Sequence, residues 1–237
     1  MTFGSPPDRT LAVIGCGPGI GVHVAATFAT HGFNRIILLS RDIKRLGDDK
    51  ATILEAAGDS KVQIALIKVD LADEPSLEQA LKQLEEFGPV ECIFFNAARV
   101  GPSKLLDFPA AKISKDFATT NIALYSVAQW GVPHLLELSR SDPSSKPSLL
   151  VTNGLLHAYP MPELFSLCMV KSAQRSLVEC LAKTYNPQGI HVGIVTVGGQ
   201  VMEDAKQLNP ANIAQKTWEL FDQARGAWKW ETRILEQ

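Results

Sequence analysis

The sequence predicts an α/β protein: one domain built on a doubly wound parallel sheet of seven strands, with helices on both faces. Three observations point there. Short apolar runs alternate with longer amphipathic stretches along most of the 237 residues. Most of the short runs are apolar throughout instead of alternating with polar residues, as strands are when both of their faces are covered. A cluster of glycines stands where the first run meets the first helical stretch.

The strands are expected at Leu11–Ile14, Arg35–Ser40, Val62–Val69, Val90–Asn96, Ser148–Thr152, His191–Val197 and, more weakly patterned, Trp228–Ile234. Between them the spacing predicts helices over Gly19–Thr30, Ile43–Ala57, Glu74–Phe87, Ala111–Leu138, Leu164–Thr184 and Ala211–Ala224, with Asp73 and Asn209 as caps. Residues 1–9 precede the first strand and are expected to be a flexible start. The one Pro/Ser-rich stretch, Ser139 to Ser148, is short enough to be a surface loop, so no domain linker is indicated. Crossovers in such a sheet are right-handed, which puts the ligand cleft at the carboxyl ends of the strands.

Composition narrows the function classes. Lys and Arg number 23 against 25 Asp and Glu, a formal charge of -2, so there is no net basic field to hold nucleic acid or anionic lipid. Cys16, Cys92, Cys168 and Cys180 are isolated, with no C-x-x-C pair and no His at ligand spacing, which reads as reduced thiols and no metal site. No apolar run has the length of a membrane span and the start lacks a signal-peptide pattern, so the expected location is cytoplasmic.

The first strand runs into Gly15-Cys16-Gly17-Pro18-Gly19-Ile20-Gly21 and then a helix. Glycines there let the backbone bend tightly and let a diphosphate rest on the amides of the helix N-terminus, whose dipole favours anions. In this strand-turn-helix context the pattern predicts a Rossmann fold with a dinucleotide-binding site. Ser40-Arg41 closes the second strand, with no acidic residue in its last positions. An acid there would bind a ribose 2′-hydroxyl, whereas Arg41 can take a 2′-phosphate, which favours NADP(H) over NAD(H). The alternative is that Arg41, followed by Asp42, Lys44 and Arg45, is simply a solvated helix start.

Together these features resemble the short-chain dehydrogenase/reductase family from Leu11 to the end of the chain. Gly15, Gly19 and Gly21 match its T-G-x-x-x-G-x-G fingerprint, with Ile14 in place of the Thr. Asp70 and Leu71 resemble the adenine-side segment after the third strand. Asn96-Ala97-Ala98 resembles the N-A-G motif. Asn121 falls at the Asn of the catalytic tetrad, and Gly198 to Val201 resembles the segment that flanks the nicotinamide carboxamide. The resemblance implies a small-molecule substrate and subunit pairing through the two long helices, giving a homodimer or homotetramer.

The same resemblance breaks at the catalytic centre. Lys171 is identifiable as the lysine that bonds the nicotinamide ribose, but counting back from it puts Leu167 at the Tyr position and Gly154 at the Ser position. Neither side chain can exchange a proton. Replacement proton donors are sought in the preceding loop: Tyr159, which could equally be a packing aromatic beside Pro160; His157, which could be an ordinary loop histidine; and Ser166, better read as a helix-start hydroxyl. Two functions follow. One is an NADP(H)-dependent oxidoreductase of a carbonyl, imine or activated alkene, with Lys171, Asn121, Tyr159 and His157 as catalytic candidates. The other is a non-redox isomerase, cyclase or nucleotide-binding regulatory protein that uses the cofactor structurally.

Overall fold

The computed structural model describes residues 8–58 and 61–236. Seven parallel strands form one sheet in the order β3-β2-β1-β4-β5-β6-β7: β1 Thr10–Ile14, β2 Arg35–Ser40, β3 Gln63–Lys68, β4 Cys92–Phe95, β5 Ser148–Gly154, β6 His191–Val197 and β7 Glu231–Ile234. The order reverses between β1 and β4, so the crevice of a doubly wound sheet opens there. The helices are α1 Ile20–Thr30, α2 Ile43–Ala57, α3 Glu74–Glu85, α4 Ala110–Phe117, α5 Ala123–Ser141, α6 Phe165–Tyr185 and α7 Pro210–Phe221. Asp42, Asp73 and Asn209 accept backbone N–H bonds at the starts of α2, α3 and α7.

Alternate residues of each strand face opposite layers. On β1, Leu11 and Val13 pack with α1, α2 and α7, and Ala12 and Ile14 pack with α3, α5 and α6. Phe28, Phe33 and Phe221 meet at centroid separations of 5.0–5.3 Å in the first layer, and Trp218 lies against them.

Two expectations change. Of the stretch 1–9 expected to be flexible, residues 1–7 lie outside the described residues, while Arg9 is fixed: its guanidinium donates to both oxygens of Glu91 at 2.8 and 2.9 Å and stacks 4.3 Å from the centre of the Phe33 ring. The single helix expected over Ala111–Leu138 is broken by a π turn, Ala118–Ile122, between α4 and α5. Such a turn takes one extra residue and bulges outward. Among the described residues no helix is long and apolar enough to cross a membrane.

Candidate functional site

A cleft of about 1560 Å³ runs along the carboxyl ends of the strands, from the turn after β1 to the loops after β5 and β6. At one end the glycine turn is held against the sheet. Gly15 and Cys16 donate their amides to Leu39 O at 3.0 and 2.9 Å, and Asn96 Nδ2 donates to Gly15 O. Gly15 has φ +83°, and a Cβ on it would lie 2.7 Å from the backbone of Ala97, so β1 and β4 can approach only because both ends of that contact are small. Gly19 caps α1 with no side-chain bond, and the space beside its Cα is open. Gly15, Gly17, Gly19 and Ile20 line the cleft, whereas Gly21 is buried beneath Cys16. This cradle suits a dinucleotide diphosphate: the helix N-terminus faces the cleft with no side chain in the way.

At the end of β2 the structure separates the two arginines. Arg41 borders the cleft but is exposed to solvent. Arg45 is the anchored one: its guanidinium donates to Cys16 O at 2.8 Å and Ser40 Oγ at 2.6 Å, and Asp49 lies behind it at 3.4 Å. Burial pushes the Asp49 carboxyl up from the ordinary range, against the pull of Arg45, and burial likewise pushes the Cys16 thiol up, so that sulfur is inert. Sequence reading passed Arg45 over as part of a solvated helix start, although its spacing four residues before Asp49 on α2 is the signal that could have singled it out. Asp70, Leu71, Asn96, Ala97 and Ala98 also line the cleft, and Lys115 of α4 approaches the Asp70 carboxylate at 3.7 Å.

The four catalytic candidates separate as well. Lys171 and Tyr159 border the cleft; Asn121 and His157 do not. Asn121 sits in the π turn, and its Nδ2 donates to Val170 O at 3.0 Å, so its visible role is to tie that turn to α6. His157 folds back in its own turn, with Nδ1 bonded to Gly154 O at 3.1 Å. Tyr159 stands on the rim, 70% exposed. Ser166 is buried and donates to Asp116 Oδ2 at 2.6 Å, inside a network in which Arg99 grips the same carboxylate. Those bonds from Arg99 and Ser166 hold the Asp116 carboxyl below the usual range although burial works the other way.

Leu167 and Gly154 are on the cleft wall where the sequence count puts them. Residues 167, 171 and 174 share the face of α6 that looks toward β5, because they recur at helical spacing. Lys171 is 8% exposed and donates to Thr152 O at 2.8 Å and Gln174 Oε1 at 2.9 Å. Burial lowers its ammonium to about 7. Gln174 is fully buried and absent from the sequence-derived site; Asn153 Nδ2 also donates to its Oε1, at 3.3 Å, while Gln174 Nε2 has no partner among the described residues.

Two tied segments flank the cleft. On one side, Ser103 N donates to Glu163 O at 2.8 Å and Ser166 N donates to Ser103 Oγ, joining the loop after β4 to the start of α6. On the other, Gly198 to Met202 line the cleft, Gly198 N donates to Ile234 O, and the Glu236 carboxylate accepts the amides of Lys206, Gln207 and Leu208.

A family model for short chain dehydrogenase matches residues 9–212. The chain belongs to the short-chain dehydrogenase family. It is 25% identical over 188 residues to the short chain dehydrogenase andI of Emericella variicolor, a match that covers 77% of this chain and 62% of that protein. The short-chain dehydrogenase of Rhodopseudomonas palustris superposes with a TM-score of 0.82 at 22% identity, covering 98% of this chain and all of that one. A short-chain dehydrogenase of Sphingobium yanoikuyae in complex with NADPH gives 0.80 at 18% identity, covering 95% of this chain and 87% of that one. An NADH-dependent reductase A1-R' complexed with NAD shares the fold at 0.79 and 15% identity, covering 96% of this chain and 95% of that one. At these identities the structural likenesses establish the short-chain dehydrogenase architecture.

Proposed function

We propose that this short-chain dehydrogenase is an NADP(H)-dependent oxidoreductase of a small, largely apolar molecule bearing a carbonyl, imine or activated alkene. The observation that carries the cofactor assignment is the open glycine cradle beside two arginines. Gly15, Gly17, Gly19 and Ile20 would hold the diphosphate, and Asp70 and Leu71 would flank the adenine. Arg45, with Arg41 at the rim, would meet a 2′-phosphate; Ser40 Oγ and Cys16 O hold its Nη2 at the cleft. No acidic side chain ends β2 to prefer a 2′-hydroxyl. Asn96 to Ala98, Lys171, Gly198 and Val201 would border the nicotinamide half. When bound, the dinucleotide supplies or accepts hydride.

Leu155, Leu156, Met161, Leu164, Leu167 and Met202 line the cleft and would give the substrate an apolar wall. They would favour an apolar substrate. The experiment is calorimetry with NADPH and NADH, followed by loss of reduced-nicotinamide absorbance over a panel of apolar ketones, quinones and enones. Absence of heat with either dinucleotide would sink the cofactor assignment.

Leu167 and Gly154 favour a second reading, a non-redox catalyst or nucleotide-responsive protein that keeps the dinucleotide as a wall. Turnover with the dinucleotide unconsumed would select it. The exposed Ile122, Tyr125 and Met169 on the π turn, α5 and α6 support pairing of two copies through these helices, and the free thiols support a cytoplasmic setting.

A further inference from the structure

We propose that Lys171 is the proton carrier of the reaction, working without a tyrosine, and that Gln174 is the residue that positions it. The proposal rests on the oxidoreductase reading above and names the group that this reading leaves open.

An ammonium has three N–H bonds, and two of them are spent on Thr152 O and Gln174 Oε1. The remaining tetrahedral position is the only one left for a ligand, and Lys171 borders the cleft one helical turn after Leu167. That free position is the one through which the amine would meet a substrate oxygen in the absence of a tyrosine hydroxyl. After proton loss the same two acceptors still hold both remaining hydrogens, and the lone pair occupies the third position. The geometry therefore serves the charged and the neutral amine alike, as an acid–base group requires.

Gln174 can hold the amine in only one orientation. Its Oε1 faces two donors, Lys171 Nζ and Asn153 Nδ2, so turning the amide would set three N–H groups against one another. Its own Nε2 is fully buried with no partner among the described residues, a cost of about 1–3 kcal/mol that ordinary packing would avoid by using an apolar residue.

Among the described residues no charged group forms an ion pair with Lys171, although Arg99, Lys112, Lys115 and Asp116 line the same cleft. On α6, Arg175 is paired with Glu231 of β7; on α4, Asp116 is held by Arg99 and Lys115 approaches Asp70; β5 carries no ionisable residue. On β6 the one titratable side chain is His191, bonded to Lys229 O and held below its usual range by burial. Burial alone then sets the amine near neutrality, where a general acid is most useful. Tyr159, by contrast, is mostly in solvent at the rim.

In carbonyl reduction, hydride reaches the carbonyl carbon and the π pair moves to oxygen. Lys171 gives that oxygen its proton, completing the hydroxyl, and is left as a neutral amine that recovers a proton from water. In the reverse direction the neutral amine takes the hydroxyl proton as hydride departs.

The test uses the full chain, NADPH and benzil, an apolar dicarbonyl. In the ligand-free protein, competitive acetylation of lysines across pH, read by peptide mass spectrometry, should show Lys171 reacting with a midpoint near neutrality. Lys171→Met and Lys171→Arg should each lower kcat by about 10²–10⁴-fold with KM little changed, since a guanidinium releases no proton at these pH values. For the wild type, kcat should fall as pH rises through the amine's midpoint. Gln174→Glu should carry that fall, and the acetylation midpoint, to higher pH by about one unit or more, because a carboxylate favours the ammonium. Gln174→Leu should carry both to lower pH. A purely structural role would not displace the profile in opposite directions.

Benzil reduction that survives Lys171→Met, or a Lys171 midpoint at the ordinary alkaline value, overturns the proposal while leaving the oxidoreductase reading in place. A wild type that neither binds NADPH nor oxidises it with benzil overturns that reading, and the proton step with it.

Discussion

Replacing Gly15 by Ala should damage fold and site together, and the structure sets the size of the effect. The backbone there has φ +83°, which costs an L-residue about 1–2 kcal/mol. The new Cβ would lie 2.7 Å from Cα, Cβ and N of Ala97, roughly 1 Å inside normal carbon contact. All three atoms belong to a neighbour with no flexible end, so β1 and the segment after β4 must part. Overpacking of that kind costs about 1–3 kcal/mol. The sum, about 2–5 kcal/mol, corresponds to a melting point lower by about 4–20 °C for a chain of this size. Gly19→Ala is the control: its Cβ meets nothing within 4 Å. It should melt within about 2 °C of the wild type. Because it places a methyl in the cradle, it should still weaken NADPH binding. Differential scanning calorimetry and titration calorimetry on the pair read both quantities. A Gly15→Ala protein that melts with the wild type, or a Gly19→Ala protein that binds NADPH as tightly, would refute the reasoning about the turn.

Arg45→Ala should weaken NADPH by about 10–100-fold, the worth of one charge-assisted pair, and leave NADH binding almost unchanged; calorimetry with both dinucleotides checks it. Glu231 is held at about 2: burial would raise its pKa, but hydrogen bonds from Arg175, Arg233 and Thr196 overcome that. Its folded value is therefore depressed, so its stabilisation is present above the ordinary 4.5 and is lost as pH falls toward about 2. Glu231→Gln should cost about 2–3 kcal/mol at neutral pH and flatten the acid limb of a stability–pH curve in that window, as urea melts would show. If two copies pair through α5 and α6, Tyr125→Glu should convert a dimer to a monomer in light scattering; an unchanged mass would place the interface elsewhere.

The sheet was legible because seven apolar runs are bounded by polar or glycine-containing segments, and the ends of β2 and β6 fell where the patterning put them. The glycine turn was legible for a related reason: only glycine tolerates the Gly15 conformation, so chemistry and residue type coincide. What escaped was whatever depends on contacts distant in sequence. Nothing in Ala118 to Ile122 announces a π turn; it is paid for by Asn121 reaching Val170 across 49 residues. Arg41 and Arg45 have the same composition signature, and only the neighbourhood of Ser40 and Cys16 O tells the anchored one from the solvated one. Gln174 looked like an ordinary helix residue until Asn153 and Lys171 were seen to converge on its oxygen.

The two sides of the cleft mouth are fastened by different chemistry. The frame between Ser103 and Glu163 is a neutral amide rung, indifferent to salt and acid. The segment at residues 206–208 is tied down by one exposed carboxylate, Glu236, whose pKa those amides, Leu208 foremost, draw below the ordinary range. Acidification that protonates Glu236 should therefore weaken the tie at residues 206–208 and leave the Ser103–Glu163 rung unchanged.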